Sequence, residues 1–507
     1  MLKFLFSLCS LLVTIMVTAQ LKLPALISNN MVLQQNQSVA LWGWAAPGAK
    51  VEIQPVWKDY PKTITADANG KWMIHIATPK AGGPYTIHFK SNSQSITVEN
   101  IMIGEVWLAS GQSNMEFPMG KGEGWRTGAH NAATEMPIAN YPNIRMIDVP
   151  NRVSDVPQDD FKGEWMACTP ETIKDFSAVA YFFAKEIQAS TGYAIGIINS
   201  TWGGTPAESW TRKDILAKDT GFQKILERYQ QDIEKYPAAY AKYKTSYEKW
   251  KADTSSTKKG APKEPVGTNH NKSPGKLYNG MIAPLIPYTL KGVIWYQGES
   301  NADRAWQYRR LFPAMINGWR QDWHNNKLPF YFVQIAPHRS QPPEIREAQL
   351  YTWQTTNNTG MVVSTDYGDS LDIHPRNKEV IGKRLSLWAL KNQYGKKTIE
   401  TSGPVYKKMQ VKGNKIIITF TNAKGLNALN NQPLQEFLIA GSDKKFVPAQ
   451  AIIKGNTVTV WSNEINTPVA VRFNWSKVPQ AELYNAAGLP ATPFRTDNWP
   501  VATQGKD

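Results

Sequence analysis

Two hydrophobic periodicities divide the chain. Between residues 21 and about 100, short strand-like runs stand at 39–44, 51–56, 71–76 and 85–89, with apolar and polar positions alternating most clearly at 51–54 and 85–89. Turn signals separate these runs: Ala46-Pro47-Gly48, Asp67-Ala68-Asn69-Gly70 and Gly82-Gly83-Pro84. Short strands at this spacing predict a small β-sandwich. From about 101 the strands read as nearly continuous apolar runs, at 101–110, 194–199, 290–296, 330–335 and 361–365. Helical stretches such as 179–187 and 379–390 lie between them. That alternation predicts a mostly parallel sheet with helices on both faces. In such sheets, sites form beyond the carboxyl ends of the strands.

Residues 211–275 interrupt the alternation. Residues 211–253 predict one long, polar helix rich in Tyr and Lys, and 254–276 read as a Ser/Lys/Gly/Pro loop. The whole is expected as an insertion at the rim of the sheet. Strand patterns return at 416–420, 457–461 and 469–473. The expected organisation is a leader at 1–19, a β-sandwich at 20–100, an α/β domain at 101–400 and a β region at 401–507.

The leader begins with Lys3, continues through a mostly apolar stretch at 4–17, and offers small residues up to Ala19. It reads as a secretory signal peptide cleaved near Ala19, giving a secreted or periplasmic protein. No later segment is apolar enough to span a bilayer. Past the leader, Cys168 is the one remaining cysteine, which excludes an intramolecular disulfide; its setting reads as buried. The 57 basic and 41 acidic residues give a formal net charge of +16. Much of the excess lies between Lys213 and Lys276, interleaved with acids and tyrosines at helical spacing. It therefore reads as a solvated helical face, and no nucleic-acid partner is expected.

The candidate chemistry begins at Gly111-Gln112-Ser113-Asn114-Met115, where an apolar strand runs into a glycine turn that can present a serine hydroxyl. Three further blocks follow predicted strands. Trp202-Gly203-Gly204-Thr205 can bare backbone N–H groups, and Gln297-Gly298-Glu299-Ser300-Asn301 places amides and a carboxylate at a strand end. Asp366 to Pro375 contains Asp369, Asp372 and His374. His130, His270, His324 and His338 show no metal-ligand spacing, so no catalytic metal is expected. Trp202, Trp210 and Trp295 lie in or beside the blocks, where aromatic faces could line a cleft. His338 and Arg339 follow another strand end and could line a cleft, where the arginine fork would suit a carboxylate.

In this order the blocks resemble the SGNH (GDSL-like) hydrolase superfamily, and more closely the sialate O-acetylesterase family of carbohydrate esterases. The resemblance covers essentially the whole chain past the leader. It implies an α/β, three-layer SGNH-type domain with a parallel sheet, flanked by β regions. It implies Ser113 as nucleophile and His374 as general base. Oxyanion donors would be the Ser113 N–H, Gly204 (with Gly203 as alternative) and the side-chain amide of Gln297 (with Asn301 as alternative). Glu299 would orient the loop or be a buried structural carboxylate. The superfamily's acid usually stands three residues before the histidine, where this chain has Leu371. Asp372 is therefore the expected acid, Asp366 and Asp369 are outside contenders, and a Ser–His dyad is the alternative. The implied reaction is removal of O-acetyl groups from carbohydrate without a cofactor, with O-acetylated sialic acids as first expectation. Acetylated xylan or pectin, or an inactive carbohydrate-binding relative, are the alternatives.

Overall fold

The computed structural model describes residues 20–255 and 260–506; the expected leader at 1–19 lies outside the described residues. The first strands are β1 (Val32–Gln34), β2 (Ser38–Trp44), β3 (Lys50–Pro55), β4 (Lys62–Thr65), β5 (Lys71–Ala77), β6 (Gly82–Ser91) and β7 (Gln94–Gly111). β2 pairs antiparallel with β5, while β4, β3, β6 and β7 form a second antiparallel run. Val51, Ile53 and Phe89 are buried at the inward positions of a period-two pattern, while β2 is buried throughout from Val39 to Gly43.

β7 is 18 residues long and passes through residue 100 without a break. Its second half is the middle of the central sheet, whose order is β13–β12–β11–β7–β10–β8–β9. The added strands are β8 (Tyr141–Asp148), β9 (Met166–Cys168), β10 (Ile195–Thr201), β11 (Gly292–Tyr296), β12 (Phe330–Val333) and β13 (Thr359–Val362). Neighbours from β13 to β8 run parallel, and β9 closes the edge antiparallel. β10 and β11 are buried along their whole length, as strands covered on both faces must be.

Aromatic side chains show what covers each face. On one, Trp107 meets Phe183 of the helix Ala178–Thr191 at 5.0 Å between ring centroids. Tyr331 meets Trp388 of the helix Lys378–Gln393 at 6.3 Å. On the other, Phe312 of the helix Ala305–Asp322 lies 6.1 Å from Trp295 and 4.9 Å from Phe332. Tyr331 and Phe332 are adjacent, so the pleat alone sends them to opposite layers.

The insertion differs from its expectation as one helix. A short helix, Lys213–Lys218, precedes the 30-residue helix Gln223–Ala252. The break is an Asx turn: Asp219 leaves the helical region and accepts the Gly221 N–H at 2.9 Å. Along the long helix Tyr236, Tyr240, Tyr243, Tyr247 and Trp250 form a ladder with centroids 5.2–5.8 Å apart, the three- and four-residue spacing that aligns side chains on one face. Residues 256–259 of the following loop lie outside the described residues.

The C-terminal region holds two four-stranded antiparallel sheets over a separate apolar core that includes Ile416, Ile418, Phe437, Val471 and Phe473. Arg495 ties it to the α/β part through Glu347 at 2.7 Å. Among the described residues no helix is long and apolar enough to cross a membrane.

The exit of β7 is a tight point of the sheet. Gly111 has φ 136°, and a Cβ there would stand 2.2 Å from the Tyr296 carbonyl oxygen. Gly192, which ends the helix Ala178–Thr191, has φ 73° but open space around it. Gly192→Ala is expected to cost about 1 kcal/mol, the left-handed penalty alone. Gly111→Ala adds a backbone clash and should cost a further ~2 kcal/mol or more. Urea or thermal unfolding of both proteins checks the difference; equal stabilities would mean that the strand end yields freely.

Candidate active site

The turn after β7 is held from both sides. The Trp202 N–H donates to the Gly111 carbonyl at 3.1 Å, and the Gln112 N–H donates to the Tyr296 carbonyl at 3.0 Å. The exits of β10 and β11 therefore clamp the exit of β7. Ser113 follows directly, opening the four-residue helix Ser113–Glu116, and is 6% exposed. At the first position of a helix, its N–H has no intrahelical acceptor.

His374 reaches this serine from the loop before the helix Lys378–Gln393. Its Nε2 lies 2.8 Å from Ser113 Oγ. The Trp125 ring stacks on the imidazole at 4.6 Å and 27°. Burial pushes the His374 pKa down to about 4, and the Lys378 ammonium adds to the push. The imidazole is therefore neutral at pH 7 and can accept a proton.

The carboxylates before the histidine are placed differently from one another. Asp372 Oδ1 accepts the His374 backbone N–H at 2.9 Å and lies 3.7 Å from Nδ1, beyond hydrogen-bond length. Asp369 accepts the N–H groups of Leu371 at 2.7 Å and Asp372 at 3.2 Å, and so shapes the loop. Asp366 pairs with Arg384 through two bonds, of 2.7 and 2.5 Å, which removes it as a contender. Leu371, three residues before the histidine, is 69% exposed.

The glycine pair divides its work. The Gly203 N–H is taken by Glu116 Oε2 at 2.6 Å, and a Cβ on Gly203 would lie 3.3 Å from that of Ser113. Gly204, with φ 72°, is exposed, and its N–H has no acceptor among the described residues. Gln297, expected as an oxyanion donor, is fully buried, and both its amide protons are committed, to the Thr205 carbonyl at 3.2 Å and Asn301 Oδ1 at 2.7 Å. Asn301, 1% exposed, accepts the Ala207 N–H at 2.8 Å and donates to Glu208 at 2.7 Å. The two amides brace the Thr205–Glu208 loop in this structure.

Sequence reasoning missed the cluster beneath the serine. The Asn114 amide donates to Glu299 Oε1 at 2.7 Å and to the Ile373 carbonyl at 3.0 Å, while Lys378 Nζ donates to Asn114 Oδ1 at 2.6 Å. Lys378 is fully buried, and burial drops its pKa to about 7. It lies 4.6 Å above the Phe117 ring. Burial raises the pKa of Glu299, whose Oε2 has no hydrogen-bond partner among the described residues. Nothing local marks Lys378 or Trp125; Asn114 and Glu299 stood within the motif blocks without their partners.

The other candidates separate clearly. Trp202 is half-buried beside the turn, but Trp210 and Trp295 are fully buried in edge contact with each other and cannot stack on a sugar. His338 bonds Ser340 Oγ at 2.7 Å, and Arg339 is exposed at the rim. Cys168 is buried, with its thiol pushed up to about 12, and is no nucleophile.

A neutral imidazole bonded to a serine hydroxyl, next to unused backbone N–H groups, is an arrangement suited to acyl transfer. Comparison with known proteins points the same way. A family model for "Carbohydrate esterase, sialic acid-specific acetylesterase" matches residues 264–390. The mouse sialate O-acetylesterase is 28% identical over 92% of this chain and 93% of its own length, and the human one is 28% identical over 92% and 91%. The crystal structure of a carbohydrate acetylesterase from Xanthomonas citri superposes with a TM-score of 0.80 at 36% identity, covering 95% of this chain and all of that one. The chain belongs to the sialate O-acetylesterase family of carbohydrate esterases, and it is a carboxylic ester hydrolase.

Proposed function

We propose that this enzyme removes O-acetyl groups from sialic acids through an acetyl-serine intermediate on Ser113. The approach of His374 Nε2 to Ser113 Oγ, at 2.8 Å, carries the reading. As Oγ attacks the acetyl carbonyl carbon, the neutral His374 takes its proton. The tetrahedral oxyanion is received by the Ser113 and Gly204 N–H groups, each such donor being worth about 3–4 kcal/mol in comparable sites. Collapse breaks the ester C–O bond, and His374 returns the proton to the departing sugar hydroxyl. Water, deprotonated by His374, then attacks the acetyl-serine carbonyl. Acetate leaves, and the proton returns to Ser113 Oγ. The names of the mouse and human relatives support sialic acid as the sugar. Helices on both faces of the sheet support the SGNH-type assignment, and the leader supports a secreted or periplasmic setting.

Ser113→Ala should reduce acetate release from an acetylated aryl ester by about 10³-fold or more while leaving the melting curve in place. Undiminished turnover would sink the nucleophile assignment. A panel of acetylated sialic acids, xylan and pectin tests the substrate; preferential release from xylan or pectin would overturn the sugar assignment.

The pH profile follows from the depressed His374. Protonation removes the base, so kcat/KM falls as pH drops through the folded-state pKa. The acid limb should lie near pH 4, where the buried imidazole titrates, rather than near 6.5. A limb at pH 6 to 7 would assign the base elsewhere.

Asp372→Asn keeps the backbone bond to His374 but removes the charge beside Nδ1. It should lower kcat/KM by about tenfold or more, with Asp369→Asn staying within about threefold. Equal, small losses in steady-state assays would favour a Ser–His dyad.

A further inference from the structure

The insertion helix contributes to a cavity that opens beside the motif loops. This cavity, of about 330 Å³, is bounded by Pro206 and Glu208 of one loop, Ser300 and Arg304 of another, and Arg228 on the helix Gln223–Ala252, with Lys272 at its mouth. Its walls connect to the loops around the serine. Pro206 stands two residues past Gly204, and the Ser300 N–H donates to Gln112 Oε1 at 3.3 Å, next to Ser113.

Arg228 is the under-satisfied cation here. Arg228 makes one ion contact, Nη2 to Glu208 Oε1 at 3.7 Å, and no hydrogen bond among the described residues. Its Nη1 is buried without a hydrogen-bond partner among the described residues, and so is Arg304 Nε. The acids that share the cavity do not fill this need. Glu208 already accepts from Asn301 and pairs with Arg304 at 3.3 Å. Asp303 turns out to solvent and takes both its bonds from Arg304 Nη1. Asp232 also lines the cavity and makes no ion pair with Arg228 among the described residues. Burial and the neighbouring Arg304 lower the pKa of Arg228, the mark of a cation crowded by a like charge. An unspent guanidinium fork in a small polar cavity matches a planar carboxylate, which it can bind through two parallel bonds.

We propose that Arg228, with Arg304 and Lys272 beside it, seats the carboxylate of an acidic sugar whose acetyl group lies at Ser113. This rests on the reading of Ser113 as the acetyl-accepting nucleophile. It gives the insertion a specificity role and moves the carboxylate contact from Arg339, on the rim, to Arg228.

Two measurements test it. The first is the ratio of kcat/KM for an O-acetylated sialic acid to that for a neutral O-acetylated sugar, in Arg228→Gln, Arg228→Lys and Arg339→Gln proteins. Arg228→Gln should lower the ratio by about tenfold or more, mainly through KM, and Arg228→Lys should recover part of it, since a point charge replaces a fork. An unchanged ratio, or a drop produced by Arg339→Gln instead, overturns the proposal. The second is calorimetric binding of free sialic acid to full-length Ser113→Ala protein, which needs no turnover. Binding that disappears when Arg228→Gln is added supports the seat even if the esterase reading fails; binding that survives the second substitution, or no binding at all, overturns it.

Discussion

Asn114 is the contact on which the rest of the site depends. Its amide joins the carbonyl of Ile373 to the carboxylate of Glu299, and its carbonyl oxygen receives Lys378. One side chain thus ties together the loop after β7, the loop after β11 and the loop that carries His374. The residue before the histidine is fixed to the residue after the serine, so the Nε2–Oγ approach is set by backbone placement rather than by two free rotamers. Precision of this kind underlies effective nucleophile–base pairs, because small misplacements remove much of the rate. Lys378 is buried at some electrostatic cost. Glu299, Asn114 and the Phe117 ring offset that cost, and the positive charge in turn helps keep His374 neutral.

The legible parts of the fold were those governed by period. Strands at 39–44, 290–296 and 457–461 stand out because their neighbours are turn residues and their apolar positions have one place to go. The helix from 178 was legible for the same reason, with Ser177 capping one end and Gly192 the other. The single helix expected over 211–253 was not found because Asp219-Thr220-Gly221 breaks it through a side-chain turn, which composition hides among polar residues. At the site, Ser113, His374 and the glycine pair were visible because each directly follows a strand or precedes a helix. Trp125 and Lys378 were not, since their importance comes from long-range packing against His374 and Asn114. Gln297 is placed otherwise than the resemblance implies, for a related reason. An amide at a strand end looks free in sequence, but here both its protons are consumed within its own loop network.

The serine's position also depends on the N-terminal strands. β7 belongs to both regions, and β1 pairs alongside it in parallel, from Val32 opposite Met102 to Gln34 opposite Gly104. The Gln34 side chain accepts the Val106 N–H at 2.9 Å, and Gln34 and Gln35 both donate to the buried Glu105, at 3.2 and 2.6 Å. Glu105 also receives Tyr394, which follows the helix that begins at Lys378. The same strand and the same helix that fix Ser113 and His374 at the top of the sheet are therefore fastened again at its base. The buried apolar residues of the first strands and those of the central sheet form one continuous core. A strand shared in this way transmits any shift of the first sheet along its axis to the turn at Gly111, where the Tyr296 carbonyl leaves no slack. The N-terminal β region is thus part of the framework that holds Ser113 still.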